Sequence, residues 1–444
     1  MKKTLLFSLA LGLAGASLLQ AATVDVYITG STAFRANVYS ACQKLFVGEN
    51  PTITYGDVGH GGGGSGSGAS SWCMIGTPIT GLTNLQGNTL VVHGLFTGSI
   101  QGLQTTESST KLVWATPTAG VYTTNSPTIG FSDASGAASP YPATGNFVEE
   151  NVCVQPFAFF KSTAATGAVT NINNVTWEQL EFGIPNGRIP LSAWTYKTAD
   201  TNNFVYLLQR TKDSGTRRCE TQGADFQFND TVGIYIYDYT NNFWYVPTVK
   251  GVFANGTSPY GVVGTEGPGN NNANLNWGYG YIGGGDIHNT LNNNNPANQS
   301  IAMLSLGDGK GVGNANWNNM ISYNGIWPTA AGPGIHGNTG TNDYSPISLG
   351  YYPLWGFEVL VHPIDPGLIA DQNITQAQLG DQATPGTFMG VLNAQTLING
   401  GSPLVGSIEN EIILSQPTGA TGIPLSEMQV SRPAVGGTIY PPFQ

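Results

Sequence analysis

Residues 204–218 read FVYLLQRTKDSGTRR, and this stretch decides the fold and the chemistry expected of the chain. Its apolar run predicts a buried strand that ends at Arg210. A short polar turn follows, in which Asp213 or Ser214 is a natural N-cap for the next helix. The stretch therefore predicts a strand, a tight turn and a helix, with an arginine where the strand ends.

This turn carries the groups that a tetrahedral oxyanion requires. The first N–H groups of a helix are unpaired and lie at the positive end of its dipole. Gly215 lets the backbone approach a ligand closely, and Ser214 and Thr216 add hydroxyl donors. The guanidinium of Arg210 can hold two oxygens of one anion. We predict an oxyanion cradle at this position.

Two other interpretations of the turn stay open. One is an ordinary strand-to-helix connection in which Arg210 is solvated. The other is catalytic, because residues 213–216 read Asp-Ser-Gly-Thr, which matches the catalytic loop of aspartic proteases. Those enzymes need two carboxylates that share a proton, and the chain has no second Asp-Ser/Thr-Gly triplet. Polar Thr211 and Lys212 also stand where that loop expects apolar residues, so the protease is the weaker alternative.

Three earlier segments have a similar build, in which a predicted strand ends in small hydroxyl residues or a carboxylate. They are 23–28 with Gly30-Ser31-Thr32-Ala33 before a helix over 34–46, 89–92 with Thr97-Gly98-Ser99, and 128–132 with Asp133. Taken singly, each also fits a simple turn. The Gly-rich stretch 59–71 predicts a flexible surface loop, because no Lys-Ser/Thr follows it as a nucleotide-binding loop demands.

The first residues predict export. Lys2 and Lys3 precede an apolar stretch over 5–19, and small residues follow, so residues 1–22 have the pattern of a secretory signal peptide. No later stretch approaches the roughly 18 apolar residues that a membrane helix needs. We expect a soluble protein that is periplasmic, secreted or at the cell surface.

Composition narrows the function further. The chain has 15 basic and 26 acidic residues and a formal charge of −11, which argues against nucleic acid as a partner. An anion site must therefore work through local donors. The four cysteines predict disulfides in an oxidising compartment, with the pairing open between Cys42, Cys73, Cys153 and Cys219. Neither cysteines nor histidines are spaced as in a zinc site, and no metal or cofactor is predicted.

Alternating strands and helices predict an α/β fold with largely parallel sheets. The 444 residues exceed one typical core, so two lobes are expected. The other predicted elements are a strand at 152–160, a helix at 176–182 with Thr176 as its cap, a strand pair over 233–244, a helix entry over 279–291, and strands at 301–306, 349–361 and 412–414.

Together these segments resemble the periplasmic phosphate-binding proteins of ABC phosphate transporters, which are type II periplasmic substrate-binding proteins. The family's Arg-x-x-x-Ser-Gly-Thr motif is similar to residues 210–216, its Gly-Ser-Thr loop to 30–34, and its Ala-Ser-Asp turn to 131–133. Its Gly-x-Gly-Ser loop is nearest to 97–99, with Ser65 and Ser67 as the alternative. The chain departs from the pattern at Lys212, where the family has an acid, and at Ala33, where many members have a hydroxyl.

The resemblance implies a two-lobed type II periplasmic-binding-protein fold, each lobe a mixed, mostly parallel sheet flanked by helices. Residues 23–145 plus 300–444 would form one lobe and 146–299 the other, joined by a hinge of two crossovers. It also implies a monomeric, non-enzymatic protein that captures inorganic phosphate between the lobes for a membrane ABC permease. The implied ligand-binding residues are Ser31, Thr32, Ala33, Phe34, Thr97, Ser99, Asp133, Arg210, Ser214, Gly215 and Thr216.

Asp133 would select among oxyanions. An ionised carboxylate only accepts hydrogen bonds, so it binds a protonated oxyanion and repels one without a proton. Hydrogen phosphate carries such a proton near neutral pH and sulfate does not, which gives specificity. The main alternative is a secreted surface or matrix protein on the same fold that no longer serves transport, favoured by only 9% charged residues and abundant Gly and Asn. A phosphatase is disfavoured, because the sequence shows neither a metal cluster nor an activated nucleophile.

Overall fold

The structure is a computed structural model. It describes residues 21–60, 64–139, 145–163, 168–210, 214–225, 236–238, 243–245, 291, 300–309, 317–330, 332, 343–395, 404–419, 422–432 and 439. Nearly all of the predicted signal peptide, the turn residues 211–213 and the helix entry predicted over 279–291, apart from Leu291, lie outside the described residues.

Most of the described strands form one large mixed sheet. They are β1 (Thr23–Gly30), β2 (Thr52–Tyr55), β3 (Ser71–Gly76), β4 (Thr89–Leu95), β5 (Leu112–Ala115), β6 (Tyr122–Asn125), β7 (Ile129–Ser132), β8 (Phe147–Lys161), β9 (Asn174–Val175), β10 (Arg188–Pro190), β11 (Phe204–Leu208), β12 (Ile236–Asp238), β13 (Phe243–Tyr245), β14 (Ser300–Ser305), β15 (Met320–Tyr323) and β16 (Trp355–Pro363). The large sheet runs β10-β11-β14-β8-β16-β7-β1-β4-β3-β2, with β15 beside β8 and β9 beside β15. Two hairpins, β5-β6 and β12-β13, stand apart from it.

Parallel pairing fixes which ends of the strands meet. β1 is parallel to β4 on one side and to β7 on the other, so Gly30, Leu95 and Ser132 end their strands at the same edge of the sheet. In the other half of the sheet, β11 is parallel to β14. The carboxyl ends of parallel strands are where ligands bind in open α/β sheets.

The long strand β8 passes through both halves of the sheet. Its first part pairs with β16, from Phe147 opposite Pro363 to Pro156 opposite Trp355, and its last five residues pair with β14. Because β8 and β16 run antiparallel to their neighbours, the sheet is more antiparallel than the sequence predicts. The mixed α/β class is confirmed, whereas the division into two lobes stays a prediction.

The described helices lie between these strands along the chain or follow the last of them. They are α1 (Arg35–Gln43), α2 (Ser99–Glu107), α3 (Trp177–Asn186), α4 (Ser192–Thr195), α5 (Gly215–Gly223), α6 (Leu306–Gly309), α7 (Ser345–Ser348), α8 (Gln376–Leu379), α9 (Phe388–Leu392) and α10 (Ile408–Gly419). Thr176 caps α3 through a capping box with Gln179, as its position in the sequence predicts. None of the helices in the described part of the chain has the length and apolar character that a membrane crossing needs.

The strand predicted over 412–414 is wrong, because these residues lie inside helix α10. Ile408 and Ile412 are buried and Leu414 is exposed, so burial follows the helical i, i+4 spacing. Glu409 and Glu411 lie in the first turn, where acidic side chains stabilise a helix. A run of three apolar residues cannot distinguish the two structures.

The predicted disulfides are also wrong, because all four cysteines are free and buried. They lie on four different elements: Cys42 on α1, Cys73 on β3, Cys153 on β8 and Cys219 on α5. Each fills a core position, where a thiol behaves as a small apolar side chain. Burial raises the pKa of Cys73 and of Cys219 to about 12.

Candidate anion-binding site

The turns after β1, β4 and β7 are locked to one another by their backbones. Ser31 N donates to Phe131 O at 3.0 Å, and Gly98 N donates to Gly30 O at 3.1 Å. Gly30 has a φ of +129°, and a Cβ there would fall 2.0 Å from the carbonyl oxygen of Phe131. Only glycine therefore permits this close approach.

A buried hydrogen bond links the first of these turns to the third. The Ser31 hydroxyl donates to Oδ1 of Asp133 and accepts from the N–H of Phe34 at 3.2 Å. Ser31 and Asp133 are 0% and 2% exposed. The ring of Phe34 packs against that of Phe131, with centroids 5.9 Å apart. Ser31 thus orients the carboxylate of Asp133.

Helix α5 begins directly against this carboxylate. A Cβ added to Gly215, its first residue, would lie 2.6 Å from Cβ of Asp133, 2.9 Å from its Oδ2 and 3.0 Å from Oγ of Ser99. Ser99 is in turn the first residue of α2. The structure therefore brings together three predicted site residues from distant parts of the chain. Ser99 and Gly215 are the first residues of two nine-residue helices, and Asp133 lies beside Gly215.

Several hydroxyls around this point are buried without a partner. Within the described residues, the side-chain oxygens of Thr97, Ser214 and Thr216 have no hydrogen-bond partner. Ser214 occupies the N-cap position of α5, yet its side chain makes no capping hydrogen bond. A buried hydroxyl without a partner is costly, by about 1–3 kcal/mol. Three such groups at two turns indicate donors arranged for a ligand.

Basic side chains are buried beside α5. Arg210, at the end of β11, is 7% exposed, and its carbonyl oxygen accepts from Nη1 of Arg217 at 3.2 Å. Nε of Arg218 donates to the carbonyl oxygen of Ala138 at 2.7 Å, which ties α5 to the segment after Asp133. Arg217 and Arg218 went unassigned in the sequence analysis. The sequence feature that could have identified them is that two arginines are adjacent in a chain with only 15 basic residues.

The surroundings of two acids near these groups favour their neutral form. Burial raises the pKa of Glu220, on α5, to about 8, although the charge of Arg217 and a hydrogen bond from Gln209 lower it. Burial, together with the charge of Asp133, raises the pKa of Glu358 on β16 well above its usual range. The sequence analysis also missed Glu358. Its signal was that it is the one acid in the largely apolar run 355–363, where a charged side chain is unexpected.

The remaining predicted residues lie in the same turns. Thr32 is half-buried and Ala33 is buried, and both stand between β1 and α1. Ser65 and Ser67, the alternative to Thr97 and Ser99, are exposed, which favours the turn at 97–99. In the described part of the chain, no three His, Cys, Asp or Glu side chains lie together as a metal ion would require.

The fold is of the mixed α/β class, and these turns bring buried hydroxyls, a carboxylate and two helix starts together. No family model and no curated protein sequence matches the chain. Solved structures do resemble it. One is a high-affinity periplasmic phosphate-binding protein, PfluDING, with 14% identity, 91% of each chain covered and a TM-score of 0.38.

Two further structures have similar values. An ABC-type phosphate transport receptor from Vibrio cholerae has 13% identity over 77% of this chain and 87% of that one, with a TM-score of 0.36. A human phosphate-binding apolipoprotein has 13% identity over 91% and 92%, also with a TM-score of 0.36. All three are described as phosphate-binding or phosphate-transport proteins.

Proposed function

We propose that this protein is an exported solute-binding protein that captures inorganic phosphate, as HPO₄²⁻ or H₂PO₄⁻. The observation that carries the proposal is the position of Gly215. It sets the start of α5 against Asp133 and Ser99, beside the unpartnered hydroxyls of Ser214 and Thr216. Converging helix starts and hydroxyl donors are what a small tetrahedral anion requires.

Positive charge at the site is local. The chain carries a formal charge of −11, so its overall field does not attract anions. Buried Arg210 supplies a guanidinium at the end of β11, and the dipoles of α2 and α5 point their positive ends at the same place. An anion bound there exchanges water for fixed donors in a buried environment, which strengthens each interaction.

Asp133 gives this cradle its selectivity. Oδ1 accepts the hydrogen bond of Ser31, and Oδ2 is the oxygen near Gly215. A carboxylate in that position accepts a hydrogen bond from a protonated oxygen of the ligand and repels an oxygen that has no proton. The proposed ligand is therefore a protonated oxyanion, which near neutral pH is phosphate rather than sulfate.

The ligand in this proposal lies between two lobes that share strand β8. The part of β8 paired with β14 belongs with β11, which precedes Arg210, whereas the part paired with β16 belongs with β7, which precedes Asp133. This division differs from the sequence-based one, because residues 300–323 move from the lobe of 23–145 to that of 146–299, with whose strands β14 and β15 pair. The bond from Arg218 to Ala138 would then join the two sides next to the ligand.

We further propose that the protein acts as a monomeric receptor, not as an enzyme, and delivers phosphate to a membrane ABC permease. The family resemblance of the site motifs supports this role. The alternative is a secreted surface or matrix protein that has kept the fold without the transport function.

A thermal melt of the phosphate-stripped mature protein tests the proposal. Ligand at about 100 times its dissociation constant should add about 2.7 kcal/mol to the free energy of unfolding. We expect a rise in Tm with phosphate, none with sulfate, and loss of the rise in Arg210→Ala. Arg188→Ala is the matched control, because Arg188 stacks on Phe204 at the far side of β11 and should keep the full shift. A wild-type protein that neither anion stabilises would contradict the proposal and favour the surface-protein alternative.

A further inference from the structure

A buried acid stands beside Asp133 in the register of the sheet. Glu358 lies in the apolar strand β16 and is 0% exposed. β16 pairs with β7 in antiparallel register, with Val359 opposite Ser132. One step further along this register, Glu358 stands opposite Asp133. Residues directly opposite in such a pair lie on one face, with Cβ atoms about 4.5–5.5 Å apart.

A break in the ladder marks the same position. The register between β16 and β8 shifts between Glu358 and Val359, where β8 has one extra residue. Bulges of this kind occur next to functional sites and redirect a side chain. On this side Glu358 pairs with Cys153, so Cys153, Glu358 and Asp133 form a row across the sheet.

The surroundings of Glu358 favour its protonated form. Burial raises its pKa well above the usual range, and both the charge of Asp133 and a hydrogen bond to it raise the pKa further. No described residue donates a hydrogen bond to either carboxyl oxygen of Glu358. The titratable and charged groups on the elements packed around the pair are Glu149, Glu150, Cys153 and Lys161 on β8, Arg217, Arg218, Cys219 and Glu220 on α5, Glu107 on α2 and His362 on β16 itself.

We propose that Glu358 is a positioning residue that keeps its proton and donates it in a hydrogen bond to Asp133, so that the two acids carry a single negative charge at the site. This inference rests on the proposed phosphate-binding function. With donors from both Ser31 and Glu358, the carboxylate of Asp133 is held in place as an acceptor beside the start of α5. Glu358 thereby supports the discrimination of phosphate from sulfate through the position of Asp133.

Two variants separate the proton from the packing. Glu358→Gln keeps the shape and a permanent N–H donor but has no proton to lose, whereas Glu358→Leu removes the donor. Glu409→Gln is the matched control, because Glu409 is equally buried (1% exposed) but lies on α10. The first measurement is the infrared difference spectrum at neutral pH between wild type and each variant. We expect the C=O band of a protonated carboxylic acid to be lost in Glu358→Gln.

The second measurement is the ratio of phosphate to sulfate affinity at neutral pH. We expect Glu358→Leu to lower this ratio by about tenfold, because Asp133 loses a donor that holds it in place. Glu358→Gln should restore the ratio to near the wild-type value, because its donor remains, and Glu409→Gln should leave it unchanged.

The outcomes separate this inference from the proposed function. A wild-type protein that binds neither anion overturns the proposed function, while the infrared band still reports the proton on Glu358. Selective binding with an unchanged infrared spectrum in Glu358→Gln overturns the inference alone. An unchanged ratio of phosphate to sulfate affinity in a folded Glu358→Leu protein would do the same. If Glu358→Leu does not fold, the infrared result with Glu358→Gln decides.

Discussion

The hydroxyl of Ser31 donates a hydrogen bond to Oδ1 of Asp133, across 102 positions of sequence. The bond joins the turn after β1 to the turn after β7. It means that Ser31 acts on a ligand through Asp133, because its proton is already committed to the carboxylate.

Replacing Ser31 by alanine should weaken phosphate binding by about tenfold or more. A hydrogen bond to a charged group is worth about 1.5–3 kcal/mol, and its loss leaves Oδ1 of Asp133 without that donor. Isothermal titration calorimetry with phosphate measures the change. Ser40→Ala, at a half-buried serine on α1, should bind as wild type does. Equal affinities for both variants would remove Ser31 from the site.

Gly215→Ala should impair binding without a change in overall fold. The new methyl group would lie 2.6 Å from Cβ of Asp133, so α5 and the carboxylate must move apart. Overpacking of this kind typically costs about 1–3 kcal/mol, and here the displacement opens the cradle itself. Calorimetry measures the affinity, and circular dichroism checks the fold.

Gly145→Ala is the control for this substitution, because a Cβ there meets nothing within 4 Å. A Gly215→Ala protein that binds phosphate with unchanged affinity would show that ligand does not approach the start of α5.

Asp133→Asn should reduce the preference for phosphate over sulfate. An amide has an N–H donor where the carboxylate could only accept, so an unprotonated oxygen is no longer repelled. We expect phosphate affinity to fall and sulfate affinity to rise, with the ratio reduced by at least about tenfold. Competition between the two anions, followed by calorimetry, measures the ratio. Unchanged selectivity would exclude Asp133 from ligand recognition.

Local signals in the sequence were sufficient to predict the strand–turn–helix units that carry the candidate site. The strand, the small-residue turn and the helix were predicted at 23–46, 89–103 and 204–218, and the structure has β1–α1, β4–α2 and β11–α5 there. Each unit is short and its signals lie within it: an apolar run, a Gly or Ser, and then a helix start.

Features that depend on contacts between segments far apart in the chain could not be predicted from the sequence. Glu358 is functionally interesting because it stands opposite Asp133, and register between strands so far apart is not encoded in either segment alone. The bond from Arg218 to the carbonyl of Ala138 is missing from any local pattern for the same reason. The disulfides were wrong because an even count of cysteines says nothing about which element each one occupies.

The four thiols should be free but unreactive in the folded protein. All are buried, and burial raises the pKa of each, to about 12 for Cys73 and Cys219, which suppresses the reactive thiolate. We expect no labelling by a chromogenic disulfide reagent in native buffer, and four thiols per chain in denaturant without reductant. Two thiols or fewer in denaturant would show that a disulfide had formed.

Glu220 should make the protein less stable as the pH rises. Its pKa is raised from 4.5 to about 8, first by burial, so the folded chain binds this proton more tightly than the unfolded chain. The contribution to stability is therefore fully present below about pH 4.5 and is lost as the pH rises toward about 8. Glu220→Gln stays neutral throughout. The Tm of the wild type should therefore fall relative to that of the variant as the pH rises through this window, and the difference should level off above it. Glu181→Gln, at an exposed acid on α3, should follow the wild-type curve. A Glu220→Gln curve parallel to that of the wild type from about pH 5 to 8 would show that Glu220 titrates alike in the folded and unfolded chains.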